Sequence, residues 1–257
     1  MPAPAATVLI LTPMKSAAHH LDGYFAGLEK LTYPHALISL GILEGDSRDD
    51  TFAQLERRMK GACPDFSRKI LLKKDFGFRM PDEVPRHTTV YQPQRRAVLA
   101  RARNRLLFGT LRDEDWVLWL DADVVEFPPD ILERLIALDR DIVHPHCVRE
   151  YGGESFDLNA WRDNGRLHMQ DLRGQELVRL DSVGGTMLLV RADRHRDGLV
   201  FPPFFYGGRS RWVRDPNPLL RRGTVGEIET EGLAIMAKDM GIECWGLPDL
   251  EIRHAKD

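Results

Sequence analysis

Two aspartates close the apolar run WVLWLDAD at 116–123. Asp121 and Asp123 stand two apart, so on an extended chain they share a face, with alpha carbons about 7 Å apart. Two carboxylates placed like this at the carboxyl end of a central strand make a hard-oxygen site for Mg2+ or Mn2+. Ligands of open α/β sheets bind at such strand ends. The plainer alternative is a turn in which Asp123 caps the next helix. The uninterrupted apolar strand before the pair favours the metal.

Other residues could serve the same cleft. Glu44-Gly45-Asp46-Ser47 follows a second apolar run, and an acid there can accept from a ribose or a base edge. The same stretch, with Asp49 and Asp50, can also cap the helix that follows. Arg101 and Asn104 are three apart on a helix and share a face close to Arg105. A forked guanidinium suits a phosphate, although an Arg-rich helix is also an ordinary solvated face. Glu229 and Glu231 open a helix, where acids complement the dipole or could act as a base or hold an acceptor hydroxyl. His254, near the C-terminal end, matters only if the tail folds back to the two aspartates.

These side chains need a scaffold, and the apolar patterning supplies one. TVLILT (7–12) reads as a buried strand ending at Pro13. Leu21, Tyr24, Phe25, Leu28 and Leu31 recur at helical spacing. Residues 36–43 form a second strand, Phe52, Leu55 and Met59 mark a helix, and 69–73 is a short third strand. Three prolines make 76–94 a loop. A strong helix follows, RRAVLARARNRLLFGTL, and then the WVLWL strand. Pro128 and Pro129 open another helix, and 141–143 is a fifth strand. The alternation predicts an α/β fold, a mostly parallel sheet with helices on both faces. From about Cys147 the pattern is less regular: a strand at 182–192 entered through Gly184 and Gly185, a helix at 228–241, and a last strand at 243–254. Residues 201–226 carry Arg209, Arg211, Arg214, Arg221 and Arg222 among glycines and aromatics, and are expected to be a lid over the donor or acceptor, with a solvated basic loop as the plainer alternative.

Bulk properties narrow the class. A chain of 257 residues with 43% apolar residues is expected to be a single domain. Within it, the change of pattern near Cys147 divides the chain into halves 1–146 and 147–257. A net charge of −3 excludes a general nucleic-acid footprint. Cys63, Cys147 and Cys244 have no paired spacing, which suggests reduced thiols. No segment has the length of a membrane span, and a cytoplasmic setting is the expectation. The dinucleotide, phosphate-loop and serine-elbow motifs are missing.

Four ordered blocks carry a resemblance. LTPMKSAAHHLDGYFAGLEKLTYPHALISLGILEGDSRDDT resembles the opening of the fungal-type mannan-polymerase α-1,6-mannosyltransferases. RRAVLARARNRLL with DWVLWLDADVVEFPPDIL, then VGGTMLLVRADRHRDGLVFPPF, then EIETEGLAIMAKDMG, continue it in order over nearly the whole chain. The resemblance implies a GT-A, Rossmann-like fold, GDP-mannose as donor, Mn2+ (or Mg2+), and retention of configuration. By motif, it makes Asp121 and Asp123 the Asp-x-Asp acids and His254 their late metal partner. It puts Pro13, Glu44 and Asp46 at the base and ribose, and Arg101 and Asn104 beside the diphosphate. Gly184 and Gly185 fall near the acceptor, a glycan or small molecule, and the resemblance makes 1–146 the nucleotide-binding half and 147–257 the acceptor-binding half. It also implies an oligomer or a complex with related subunits. A sugar nucleotidyltransferase and a catalytically weak sugar-nucleotide-binding subunit are the rival readings. The family's N-terminal anchor has no counterpart in this sequence, which leaves the acceptor and the donor sugar open.

Overall fold

The computed structural model describes residues 6–61, 64–81, 84, 88–208, 210, 212 and 226–255. The first half alternates as the sequence predicts. Strand β1 (Val8–Met14) leads to α1 (Leu21–Glu29), β2 (Ile38–Glu44), α2 (Thr51–Lys60) and β3 (Arg68–Lys73). Helix α3 (Gln92–Thr110) precedes β4 (Trp116–Leu120), followed by β5 (Val124–Glu126), α4 (Ile131–Ala137) and β6 (Ile142–Val148). The second half holds the short pair β7 (Trp161–Arg162) and β8 (Leu167–His168), then β9 (Val178–Leu180), β10 (Met187–Arg191) and α5 (Ala192–Arg196). A second short pair, β11 (Tyr206–Gly207) and β12 (Gly226–Glu227), precedes α6 (Glu229–Asp239) and β13 (Cys244–His254).

One central sheet runs β3-β2-β1-β4-β10-β6-β13-β5, with β9 also on β13. Strands β3, β2, β1 and β4 are parallel, whereas β10 lies antiparallel between β4 and β6. Strand β6 crosses the expected 146/147 division, so both halves share this sheet.

The reason for helices on both faces is visible in β1 and β4. Their residues alternate between two cores, and both sets are fully buried. Val8, Ile10, Leu118 and Leu120 face Leu21 and Phe25 of α1, Leu55 of α2 and Leu132 of α4. Leu9, Leu11, Val117 and Trp119 face Leu106 and Leu107 of α3 and Leu233 of α6. Each fully buried aliphatic side chain contributes about 1.5–3 kcal/mol, so neither face tolerates a polar substitution.

Strand β13 carries the tail back to the acids. It pairs parallel with β6, but the register shifts between Leu247 and Glu251, around Pro248. Proline has no N–H for the ladder, so the strand bulges there. Its end then pairs antiparallel with β5, placing His254 opposite Val124. Ala255 N donates to Asp123 O at 2.8 Å.

Phe201 is fully buried and β11 pairs with β12, so both ends of the 201–226 stretch are anchored. Arg209, Arg211, Arg214, Arg221 and Arg222, on which the lid reading rests, lie outside the described residues, as does Cys63. Cys147 and Cys244 are buried free thiols. Among the described residues no helix is long and apolar enough to cross a membrane.

Candidate active site

A cleft of about 360 Å³ opens at the carboxyl ends of β1, β2 and β4. Pro13, Asp46, Asp121 and Asp123 line it, with His20, Lys15, Arg48, Arg79 and Arg95 as its basic residues. Phe76 and Phe78 form an apolar wall. Lys15 Nζ donates to Phe78 O at 2.8 Å, and burial holds its pKa below the usual lysine value.

Asp121 and Asp123 have different surroundings. Arg103 Nη2 donates to Asp121 Oδ1 at 3.1 Å. Burial still pushes the Asp121 carboxyl up to about 7; Arg103 opposes the shift, and Asp123, Glu229 and Asp157 reinforce it. For Asp123, burial would raise the pKa, but the hydrogen bond and charge of His254 outweigh it and hold the group below its ordinary value. His254 Nε2 is 3.1 Å from Asp123 Oδ2. Its ring stacks on Phe156, with centroids 3.6 Å apart, and its Nδ1 lies 2.8 Å from Ala255 O.

Among the described residues, no three His, Cys, Asp or Glu are gathered tightly enough to enclose a metal by themselves. The donor set nevertheless fits Mn2+ or Mg2+: carboxylate oxygens and one imidazole, with the remaining positions left to phosphate oxygens and water. A carbonyl holding the far nitrogen of the histidine is the usual orienting contact of a metal-binding imidazole.

The other expected residues take varied places. Asp46 has a left-handed backbone, φ 59°, and its carboxylate accepts from Phe76 N and Gly77 N at 3.1 and 2.9 Å. It therefore fixes the loop that carries the apolar wall. Glu44 is buried under that turn, with Oε1 accepting from Ser47 N at 3.2 Å, and it does not line the cleft. Arg101 is exposed on α3 and also lies outside the cleft lining. Asn104 clamps the Phe201 backbone in both directions, donating to its O at 2.7 Å and accepting from its N at 3.0 Å.

The two glutamates separate. Glu231 accepts from Trp161 Nε1 at 2.9 Å and pairs with Arg96 at 2.8 Å, which bolts α6 to α3. Glu229 has φ 60°, is buried, and pairs with Arg103 Nε at 3.0 Å, next to Asp121. Gly184 and Gly185 let other groups approach. A Cβ on Gly184 would sit 1.9 Å from Asp157 Oδ2, and one on Gly185 would sit 2.5 Å from Arg103 Nη2.

Arg103 and Asp157 are central here and escape a reading of spacing. Arg103 differs from its exposed neighbours only in its phase on the helix, two residues after Arg101 and toward the buried face. Asp157 sits in an irregular loop with no local signal, yet its Oδ2 accepts from Gly185 N, Thr186 N and Thr186 Oγ1.

An open α/β sheet with an Asp-x-Asp at its ligand edge, closed by a returning C-terminal strand, is the architecture of the GT-A glycosyltransferases. The solved mannosyltransferase PcManGT from Pyrobaculum calidifontis, in complex with GDP-Man and Mn2+, has this fold; TM-score 0.57 at 16% identity, over 99% of this chain and 58% of that one. The Anp1 family model matches residues 3–170 and 163–205, and the chain belongs to that family. It is 31% identical over 294 residues to the mannan polymerase II complex anp1 subunit of Schizosaccharomyces pombe, covering 98% of this chain and 64% of that protein. It is likewise 31% identical over 294 residues to the mannan polymerase complex subunit MNN9 of Candida albicans, covering 96% and 74%.

Proposed function

We propose that the protein is a metal-dependent, retaining mannosyltransferase that moves mannose from GDP-mannose to a hydroxyl of a glycan or small-molecule acceptor. The observation that carries this is the placing of Asp121 and Asp123 on the cleft, with His254 brought against Asp123 at 3.1 Å although it lies far away in sequence. The relatives named as mannan polymerase subunits support the sugar. The fold neighbour from Pyrobaculum calidifontis, bound to GDP-Man and Mn2+, supports the donor and metal. The relatives' names also support assembly with related subunits.

In this reading Asp123, His254 and the free oxygen of Asp121 hold the cation, which when bound neutralises the leaving diphosphate. Residues 1–146 bind the nucleotide, with Pro13 and the loop braced by Asp46 against its base and ribose. Residues 147–257 face the acceptor. The bond from the sugar's anomeric carbon to the phosphate oxygen breaks, and the acceptor oxygen bonds to the same face of that carbon. The acceptor's proton passes to the departing diphosphate oxygen, so no enzymic nucleophile is needed. Glu229, buried beside Asp121 and paired with Arg103, would add negative charge behind the point where the sugar becomes cationic.

The test is thermal stabilisation by GDP, GDP-mannose, UDP and UDP-sugars, each with Mn2+ and with a chelator. A ligand at 100 times its dissociation constant adds about 2.7 kcal/mol. GDP compounds should stabilise only with the metal. Equal stabilisation under chelator would remove the shared-metal site, and a preference for UDP would remove mannose but keep the glycosyltransferase.

A further inference from the structure

Arg103 is fully buried, and the burial is not explained by stability. Taking a guanidinium out of water is costly, and buried ion pairs are often no more stabilising than apolar residues of the same volume. Yet four separate parts of the chain are shaped around this one side chain. Asp121, just beyond β4, takes one hydrogen bond from Nη2 at 3.1 Å, and Gly185 O takes another at 3.2 Å. Glu229 pairs with Nε at 3.0 Å from the first position of α6, in a left-handed conformation that a non-glycine residue adopts only under constraint. Trp119 and Phe201 face the guanidinium with ring centres 5.5 and 5.2 Å from its carbon. Position 185 has no side chain, and a methyl there would collide with Nη2.

We propose that Arg103 is a positioning residue: by holding Oδ1 of Asp121 from behind, it turns the other oxygen toward the cation and diphosphate, and it locks Glu229 beside them. This rests on the proposed function and assigns a residue that the Asp-x-Asp pattern does not reveal. The forked geometry matters more than the charge, because one ammonium cannot stand both where Nη2 bonds Asp121 and Gly185 and where Nε pairs with Glu229.

Two variants of the full chain test the idea. Arg103→Lys keeps the charge and removes the fork. Gly185→Ala keeps every charge and pushes Nη2 aside; Gly185 is not at positive φ, so alanine is conformationally allowed. Mn2+ binding is read without nucleotide by electron paramagnetic resonance, and again as the Mn2+ midpoint for stabilisation by GDP. Each variant should melt cooperatively and need at least about tenfold more Mn2+, the usual cost of losing an orienting partner. Glu229→Gln, which retains shape and removes one anchor, should shift the midpoint in the same direction by less, and it carries the test if the other two do not fold. An unchanged or lowered midpoint in these variants overturns the positioning role, since removing or displacing a nearby cation would by itself strengthen metal binding. Full rescue by lysine overturns the geometric claim. A parent protein that binds no Mn2+ at all defeats the proposed function itself, a different result from parent binding with indifferent variants.

Discussion

His254 Nε2 faces Asp123 Oδ2 at 3.1 Å, while its Nδ1 faces the Ala255 carbonyl at 2.8 Å. A carbonyl only accepts, so Nδ1 carries a proton, and the Nε2 contact with a carboxylate then needs a second cation or proton between them. In the metal-free protein that is a proton. Burial would lower the His254 pKa, but the Asp123 hydrogen bond and charge raise it above the ordinary value. A divalent ion would replace that proton.

Asp123→Asn keeps the size and removes the charge. The expected result is a loss of about 100-fold or more in turnover, with the fold retained. His254→Ala should raise the Mn2+ midpoint with a smaller loss, since imidazole is a neutral ligand. Turnover by Asp123→Asn at the parent's rate and midpoint would remove the metal role from the two acids.

Asp157 secures the Gly184-Gly185 turn through the N–H groups of Gly185 and Thr186. Asp157→Ala should destabilise by about 2–3 kcal/mol, because buried donors lose their acceptor. Gly184→Ala should destabilise through the same contact, its Cβ falling 1.9 Å from Oδ2. The double variant should then cost clearly less than the sum of the two in urea unfolding. Simple additivity would show that glycine and aspartate act independently.

The sheet, its helices and the aspartate pair were legible because each rests on a local signal: an apolar run, a helical period, a spacing of two. The antiparallel β10 was not, since SVGGTMLLVRA reads the same in either direction. The return of His254 depends on the bulge at Pro248 and on pairing with β5, which are long-range facts. On α3 the phase of the helix separates its arginines. Arg101 and Asn104 share a face, but that face meets solvent and the Phe201 backbone, while Arg103, just before Asn104, turns inward. With three arginines within five positions, charge alone could not say which one is buried.

That phase yields a direct comparison. Arg101→Ala, on an exposed side chain, should change stability by no more than about 0.5 kcal/mol. Asn104→Ala removes both bonds to Phe201 and should cost about 1–3 kcal/mol. Urea midpoints decide, and a larger cost at Arg101 than at Asn104 would contradict the assignment.

The last prediction concerns acid. His195 is buried, Trp119 Nε1 donates to its Nε2 at 3.2 Å, and its Nδ1 donates to Leu199 O at 2.6 Å. Burial pushes its pKa down to about 4, only weakly opposed by the Leu199 bond. In the unfolded chain it should titrate near 6.5. Between those values the unfolded state binds a proton that the folded state refuses. Stability contributed by this site is therefore complete above about pH 6.5 and is lost as pH falls toward 4, by about 3 kcal/mol at most. His195→Phe should be less stable at pH 7.5, since the Trp119 N–H loses its acceptor, but its unfolding free energy should fall less between pH 6.5 and 4.5 than the parent's. His144 and His146 also have pKa values lowered by burial and contribute equally to both proteins, so the difference between the two curves isolates His195. Parallel curves over that range would show that its buried neutral ring is not what makes the fold acid-sensitive.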